Sequence, residues 1–403
     1  MRGNRGVKDL NIISLEDARR LASKRAFSTL VKPAGAACNL RCKYCYYIDK
    51  SSLLGSSSPG RRMELPLLEK YIADYFDSVQ SGSVDFCWHG GEPLLLGLDY
   101  FRAAVRLQRK LSKGREYTNS LQTNGTLLNA EWCRFFRENG FLVGLSVDGP
   151  PDIQDASRVN AAGRGSSDAV RRAASLLRDN KVEFNTLTVL TSSSEHRAAE
   201  VYEYLTEELG SRYLQFLPAV DFVRGADSSL QAAPWNISAR GYGDFMCSVF
   251  DLWVKKDVGR VFVQLFDVTL AQTCGLKSTL CTLGETCGDG LCVEHNGNVY
   301  TCDHFVDSDH LLGNISGSSL GDLYDSPQRL RFALDKRNLC SPYCLRCEWW
   351  HLCHGGCPGH RIEGRNCLCE GLRMFFSHSR EAMSKMRLLL LAGRAPAEIM
   401  YGD

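Results

Sequence analysis

Three cysteines stand close together at Cys38, Cys42 and Cys45, a C-x3-C-x2-C run. Thiolates are soft ligands that suit iron–sulfur clusters and zinc. Three of them converging from one loop can hold three irons of a four-iron cubane and leave the fourth open to an external ligand. Zinc loops instead favour C-x2-C pairs. A second series lies downstream: Cys281, Cys287 and Cys302, then Cys344-x2-Cys347-x5-Cys353-x3-Cys357, with Cys367 and Cys369 close behind. Eight thiolates fit two fully ligated four-iron clusters, although C-x2-C with two distant cysteines also makes a tetrahedral zinc site. Cys87 and Cys133 fall in an apolar strand and a helix and read as small buried hydrophobes.

Chemistry of this kind needs elements to position it. From residue 27, short apolar or β-branched runs at 28–33, 84–88, 117–122, 141–147, 182–190 and 212–217 alternate with helical periodicity at 64–80, 99–112, 130–139, 167–180 and 195–209. Repetition of βα units of about 30 residues predicts a parallel sheet curled into a partial or complete barrel. The stretch 51–60 reads as a surface loop and 224–236 as a second irregular segment before a helix at 239–256. After about 266 the strands become short and Gly-punctuated while cysteines crowd together. A second domain organised by metal rather than by a large apolar core is expected there.

Composition bounds the answer. The chain has 403 residues, 44% apolar and 23% charged, with 18 cysteines. At roughly 150 residues per domain, that length fits two or three domains. Lys plus Arg number 48 against 46 for Asp plus Glu, a net charge of +2, which removes the whole-protein electrostatic case for nucleic acid or an anionic membrane. Basic stretches such as Arg19-Arg20, Lys24-Arg25 and Arg109-Lys110 are then solvated helix faces. No window approaches the roughly 18 apolar residues of a membrane span, and the N-terminus lacks the apolar core of a secretory signal. A cytoplasmic protein is expected, in which so many thiols imply metal or redox work rather than a disulfide framework.

Further segments fall at strand ends, where barrel enzymes build their sites. Trp88-His89-Gly90-Gly91-Glu92-Pro93 closes the second strand, Gln122-Thr123-Asn124-Gly125-Thr126 follows the third and Gly144-Leu145-Ser146-Val147-Asp148-Gly149-Pro150 the fourth. Together with the three-cysteine loop after the first strand, this set resembles the radical S-adenosylmethionine enzymes. The resemblance implies that Cys38, Cys42 and Cys45 hold a cluster whose open iron binds S-adenosylmethionine. It implies that the backbone of Gly90, Gly91 and Glu92 meets the cofactor's amino group, that Ser146 and Arg158 contact its carboxylate or ribose, and that Tyr44 and Leu217 contact its adenine end. His89 departs from the pattern, since close relatives often carry Gln there. Downstream, C-x9-15-G-x4-C through Gly297, followed by C-x2-C-x5-C-x3-C and a last cysteine, is similar to the SPASM domain of radical enzymes that modify peptides. It implies one auxiliary cluster on Cys281, Cys287, Cys302 and Cys357, and another on Cys344, Cys347, Cys353 and Cys369. Cys367 competes for the last position, and the following Glu370–Phe376 segment favours Cys369. The implied α/β architecture is an N-terminal extension (1–26), a partial (β/α)6 radical-SAM barrel (27–265), and a cysteine-rich SPASM domain with two auxiliary iron–sulfur clusters and a C-terminal helix (266–403).

Cys302-Asp303-His304-Phe305 narrows the resemblance to the anaerobic sulfatase-maturating enzymes, in which an aspartate directly after that cysteine is the proposed general base. Taken alone, Asp303 reads equally as a carboxylate accepting backbone N–H bonds beside a cluster. Leu312-Gly313-Asn314-Ile315, Gln215-Phe216-Leu217-Pro218 and Ala395-Pro396-Ala397-Glu398-Ile399-Met400 add matches, so the resemblance spans about 27 to 400. Its implied cofactors are S-adenosylmethionine and three [4Fe–4S] clusters, one binding S-adenosylmethionine and two auxiliary. One electron would cleave S-adenosylmethionine to methionine and a 5′-deoxyadenosyl radical. The radical would take a hydrogen atom from Cβ of a cysteine or serine; Asp303 would accept a proton and an auxiliary cluster an electron. With cysteine, water then releases sulfide, and either route ends in formylglycine.

Tyr47 corresponds to a tyrosine near the substrate that orients the thiol or assists proton transfer, or else is a packed ring at the barrel mouth. The implied partners are a sulfatase polypeptide, unfolded or nascent, bearing C/S-x-P-x-R, and a flavodoxin- or ferredoxin-like electron donor. Oxygen destroys a low-potential cluster with an open iron, which places the enzyme in a reducing cytoplasm. No nucleic acid or membrane is expected, and the absence of heptads points to a monomer. Two alternatives remain. A SPASM-type peptide maturase would form thioether or carbon–carbon cross-links in a ribosomal precursor; many such enzymes carry an N-terminal leader-binding domain, and the 26 residues before the first strand here disfavour that reading. A non-enzymatic metal or redox scaffold leaves the motifs after the strands unexplained.

Overall fold

Six strands follow one another in chain order, each parallel to the next: β1 (Ser28–Lys32), β2 (Val84–Trp88), β3 (Tyr117–Thr123), β4 (Phe141–Ser146), β5 (Phe184–Leu190) and β6 (Tyr213–Pro218). Helices α1 (Leu65–Ser78), α2 (Leu98–Leu111), α3 (Ala130–Glu138), α4 (Ser167–Asp179) and α5 (Ala198–Glu203) make the connections. This is a computed structural model that describes residues 25–48, 50, 62–80, 82–224 and 230–401. The 51–60 loop and residues 1–24 of the expected extension lie outside the described residues. Strand side chains alternate between faces. Val84, Phe86 and Trp88 are fully buried on the helix side of β2, where Phe86 meets Tyr71 and Tyr75 of α1 edge-on and Trp88 meets Phe101 of α2. Burying such rings contributes about 1.5–3 kcal/mol each and fixes the register of strand on helix.

The helix expected at 195–209 starts later and changes pitch: α5 ends at Glu203 and the chain continues in a wider turn through Tyr204–Glu208. There Leu209 N–H reaches back five residues to the Tyr204 carbonyl, and the Thr206 hydroxyl donates to the Tyr202 carbonyl, a single wide turn at the end of the helix. Beyond β6 come a short hairpin, β7 (Phe222–Arg224) and β8 (Leu230–Ala232), then α6 (Ala239–Lys256), β9 (Phe262–Val263) and α7 (Gln264–Thr273).

The segment after 266 is not self-contained. Its strands β10 (Gly290–Glu294), β11 (Asn298–Tyr300) and β12 (Leu311–Asn314) extend the first sheet, in the order β12-β11-β10-β1-β2-β3-β4-β5-β6-β9. β10 runs parallel to β1 along its whole length, from Ser28 opposite Gly290 to Lys32 opposite Glu294. The neighbour of β1 on that side is therefore β10 rather than β6, and the barrel stays open. Leu291, Val293, Val299 and Ile315 enter the same core as the strands and helices of the barrel. Metal is thus not the only organiser of this segment: apolar burial joins it to the barrel.

At the C-terminus, α9 (Cys369–Leu391), which follows α8 (Pro327–Asn338), lies across α6. The crossing depends on two glycines. A Cβ on Gly371 would come 2.1 Å from the Ala239 carbonyl, and one on Gly243 would come 2.8 Å from the Gly371 Cα. Backbones this close tolerate no side chain. Gly371→Leu should cost about 3 kcal/mol or more and lower the midpoint of thermal unfolding. Gly317→Ala, where the nearest atom is 3.9 Å away, should leave that midpoint unchanged.

Candidate active site

The chain leaves β1 into the loop carrying Cys38, Cys42 and Cys45, and backbone hydrogen bonds strap this loop down on two sides. Gly91 N–H donates to Gly35 and Glu92 N–H to Ala37, each at 2.8 Å. A Cβ on Gly91 would lie 2.1 Å from the Ala37 carbonyl, so only glycine fits. On the other side Arg41 N–H donates to Val159 and Lys43 N–H to Ser157, at 2.6 and 3.0 Å. Glu92 is fully buried: one oxygen accepts from Leu94 N–H and the Thr123 hydroxyl, and the other from Asn124 N–H. Burial raises its carboxyl to about 7. Its side chain is a brace between motifs, which leaves the backbone of this turn to face a ligand. Asn124 extends the brace by donating to Cys38 Sγ at 3.8 Å and to Asn39 at 2.9 Å.

Tyr44 of the cysteine loop and Arg158, at the end of the short helix Pro151–Ser157, share one partner just beyond β4. The Tyr44 hydroxyl donates to Asp148 at 2.5 Å, and Arg158 pairs with the other oxygen at 3.0 Å. Asp148 and Arg158 are 1% and 7% exposed. Among the described residues, Nε of Arg158 has no hydrogen-bond partner, and a buried donor left open is a place for an acceptor to bind. Ser146 accepts from the Gln122 amide at 2.7 Å. Leu217 is half exposed at the end of β6.

The eight downstream cysteines gather into two groups. The charges of Cys281 and Cys357 bear on Cys287 and on Cys302, while Cys344, Cys347, Cys353 and Cys369 line one cavity walled by Trp349, Trp350 and Phe376. Cys367 is not on that wall, and no other cysteine's charge reaches it. Buried Lys336 donates to the carbonyls of Cys281, Thr282 and Gly284, fixing the turn that presents Cys281. Arg361 does the same for the 354–356 turn before Cys357. Buried Cys340 is occupied, its thiol donating to the Lys336 carbonyl at 3.3 Å. Burial pushes the Cys42 thiol up to about 11 and the Cys287 and Cys353 thiols up to about 12. These thiols keep their protons until a metal displaces them. Soft donors around one apolar, aromatic-walled cavity suit an iron–sulfur cluster.

Asp303 sits where the two halves meet. It is half-buried; the Cys302 thiol lies 3.7 Å from one oxygen, and the Tyr46 hydroxyl donates to the other at 2.7 Å. Burial alone would raise its carboxyl, but His304, Lys32 and the Tyr46 bond outweigh it and hold Asp303 well below the usual carboxylate range. Tyr46 is 41% exposed and stacks on His304 at 4.8 Å. Tyr47, by contrast, is 3% exposed and donates its hydroxyl to buried Glu294 at 2.5 Å. Of the two tyrosines, then, the one beside Asp303 is Tyr46, and Tyr47 is the packed ring. Its small cluster with Cys292, Tyr300 and Val306 seats Cys45.

His89 Nδ1 accepts from Gly90 N–H at 2.8 Å, which leaves Nε2 to carry the hydrogen. Burial and then Lys32 bring this imidazole down to about 4, so it is neutral. Sequence reasoning passed over Tyr46, Asp148, Asn124 and Lys32. Asp148 and Asn124 lay inside the motifs after β4 and β3, and Lys32 was a single charge at the end of the run 28–33.

Known proteins agree with this arrangement. Residues 33–205 match the family model of the radical SAM superfamily, and 281–348 that of an iron–sulfur cluster-binding domain. A serine-type anaerobic sulfatase-maturating enzyme of Bacteroides thetaiotaomicron is 38% identical over 391 residues, 92% of this chain and 94% of its own. A cysteine-type anaerobic sulfatase-maturating enzyme of Clostridium perfringens is 34% identical, covering 87% and 96%. The solved structure of native anSMEcpe with bound AdoMet and Cp18Cys peptide superposes with a TM-score of 0.82 at 32% identity, covering 90% of this chain and 99% of that one. Fold and site together define a radical S-adenosylmethionine enzyme with an added iron–sulfur domain, whose cofactors are S-adenosylmethionine and [4Fe–4S] clusters. The chain belongs to the anaerobic sulfatase-maturating enzymes. Among the described residues no helix is long and apolar enough to cross a membrane.

The cavity makes the choice between neighbouring cysteines measurable. Cys369→Ser should remove one of three clusters, about a third of the bound iron and sulfide, while Cys367→Ser should leave both contents at the level of the unmodified protein.

Proposed function

We propose that this enzyme oxidises Cβ of a cysteine or serine within a C/S-x-P-x-R segment of a sulfatase polypeptide, giving formylglycine. The observation that carries the reading is Asp303, ionised and half exposed, between the Cys302 thiol and the Tyr46 hydroxyl at the joint of the two iron–sulfur regions. When bound, S-adenosylmethionine and the clusters supply hydrogen-atom abstraction at Cβ and take up the electron that the substrate loses. Cys38, Cys42 and Cys45 hold the first cluster, in a loop that Gly91 and Arg41 strap to the sheet. The Gly90–Glu92 backbone, Ser146 and the open Nε of Arg158 face the polar end of the cofactor. Leu217 offers an apolar contact, and Tyr44 braces Arg158 through Asp148. Cys281, Cys287, Cys302 and Cys357 hold one auxiliary cluster, and Cys344, Cys347, Cys353 and Cys369 the other.

Asp303 takes the proton from the substrate thiol or hydroxyl as the electron leaves. Its low basicity is no obstacle, because the departing electron drives the proton off with it. Tyr46 orients the carboxylate from the solvent side, and Tyr47 holds the loop rather than the substrate. The substrate segment enters unfolded, and a flavodoxin- or ferredoxin-like donor in a reducing cytoplasm supplies electrons.

Anaerobic incubation of the reconstituted, reduced enzyme with S-adenosylmethionine and peptides bearing C-x-P-x-R or S-x-P-x-R tests the reading. Mass spectrometry should show losses of about 18 Da from the cysteine peptide or about 2 Da from the serine peptide, with 5′-deoxyadenosine formed in step. Cleavage of S-adenosylmethionine with both peptides unchanged in mass would transfer the assignment to another peptide modification. Asp303→Asn should slow formylglycine formation about 10²-fold or more while 5′-deoxyadenosine is still released.

A further inference from the structure

Beneath the joint between the two iron–sulfur regions lies a lysine with no hydrogen bond. Lys32, the last residue of β1, is 0% exposed, and among the described residues its Nζ has no hydrogen-bond partner. It lies 3.7 Å from the ring centroid of Tyr47 and 5.7 Å from that of Tyr46. From there the contacts lead outward to the Cys302–Asp303 corner: the Tyr46 hydroxyl donates to Asp303 at 2.7 Å, and Asp303 lies 3.7 Å from Cys302 Sγ. Sideways, Lys32 is the register partner of Glu294, equally buried, whose Oε1 accepts from Tyr47 and whose Oε2 has no hydrogen-bond partner among the described residues. His89 and His295 complete the surround. Burial alone would lower its pKa, but Cys292, Asp303 and Glu294 outweigh burial and shift it upward. A buried ammonium without a hydrogen bond is costly, and here it rests over the faces of two tyrosine rings.

We propose that Lys32 is a positioning residue for electron transfer: its fixed positive charge stabilises negative charge at the Cys302–Asp303 corner and so sets how readily the auxiliary cluster held through Cys302 accepts the substrate's electron. The inference rests on the reading above, in which that cluster takes the electron and Asp303 the proton. The charges then balance. As Asp303 gains a proton it loses its negative charge, and the cluster gains one with the electron, so the total negative charge that the lysine faces is unchanged. Glu294 opposes it, and the two buried charges set the local potential from either side.

An EPR-monitored redox titration of the reconstituted holoenzyme reads this without turnover, with the Cys302-dependent signal assigned by its loss in Cys302→Ser. Lys32→Gln should make reduction of that cluster about tenfold less favourable, about 59 mV for one electron. Glu294→Gln, which keeps an acceptor for Tyr47, should shift it in the opposite direction. The signal lost in Cys344→Ser should not move in either variant. Unmoved potentials, or shifts of the same sign in both variants, would overturn the proposal. If Lys32→Gln fails to hold its irons, the direction of the Glu294→Gln shift decides alone. Peptide conversion by the unmodified enzyme, measured in parallel, separates failure of the sulfatase reading from failure of the role of Lys32.

Discussion

The parallel pairing of β1 with β10 is the constraint on which the site depends. Its register sets Lys32 beside Glu294 at the ends of the two strands. From the first end the chain runs into the loop of Cys38, Cys42 and Cys45, and from the second it turns through β11 to Cys302 and Asp303. Two regions more than two hundred residues apart thereby deliver their reactive groups to one edge of one sheet. The hydrogen bonds of the ladder fix that meeting more firmly than loop packing would, because a register slip would turn every side chain to the opposite face.

Around this joint, cations do structural work that the cysteines cannot. Three hydrogen bonds from Lys336 hold the Cys281 turn, Arg361 holds the turn before Cys357, and Arg158 ties the cluster loop's neighbour to Asp148. In each case a buried or half-buried positive charge meets carbonyl or carboxylate oxygens of an irregular loop. Loops of this kind can present several thiols at once because their backbone is satisfied elsewhere. The second auxiliary group is built differently, with Trp349, Trp350, Leu372 and Phe376 around Cys344, Cys347, Cys353 and Cys369. One group lies amid charge and the other amid aromatic rings, two environments that hydrogen bonding and burial give different redox character.

Much of this was legible in the sequence. Helical period and apolar alternation gave the six parallel strands to within a residue or two, because strands buried on both faces and helices with one apolar stripe leave strong local patterns. The split of the helix at 195–209 was not legible, since the same helical periodicity runs through both the regular and the widened turns. Tyr46 and Tyr47 are adjacent and chemically alike, and no local rule says which ring faces solvent. Only the packing of Cys292, Tyr300 and Val306 around Tyr47 decides it. Cys367 and Cys369 posed the same kind of choice, and the helix beginning at Cys369 turns that side chain toward the cavity of the other three.

What the sequence determined by itself was the chemistry: which thiols occur at which spacing, which glycines let a ligand approach, and which carboxylate follows Cys302. Ligand type and spacing are local properties, and they limit the cofactor before any fold is known. What only the tertiary structure decided was the company these residues keep. The addition of β10 to the barrel sheet, the crossing of α6 and α9 at Gly243 and Gly371, and the buried Lys32 between two tyrosines all join segments far apart in the chain. Such contacts follow from the register and packing of the whole molecule, which no single stretch of sequence encodes.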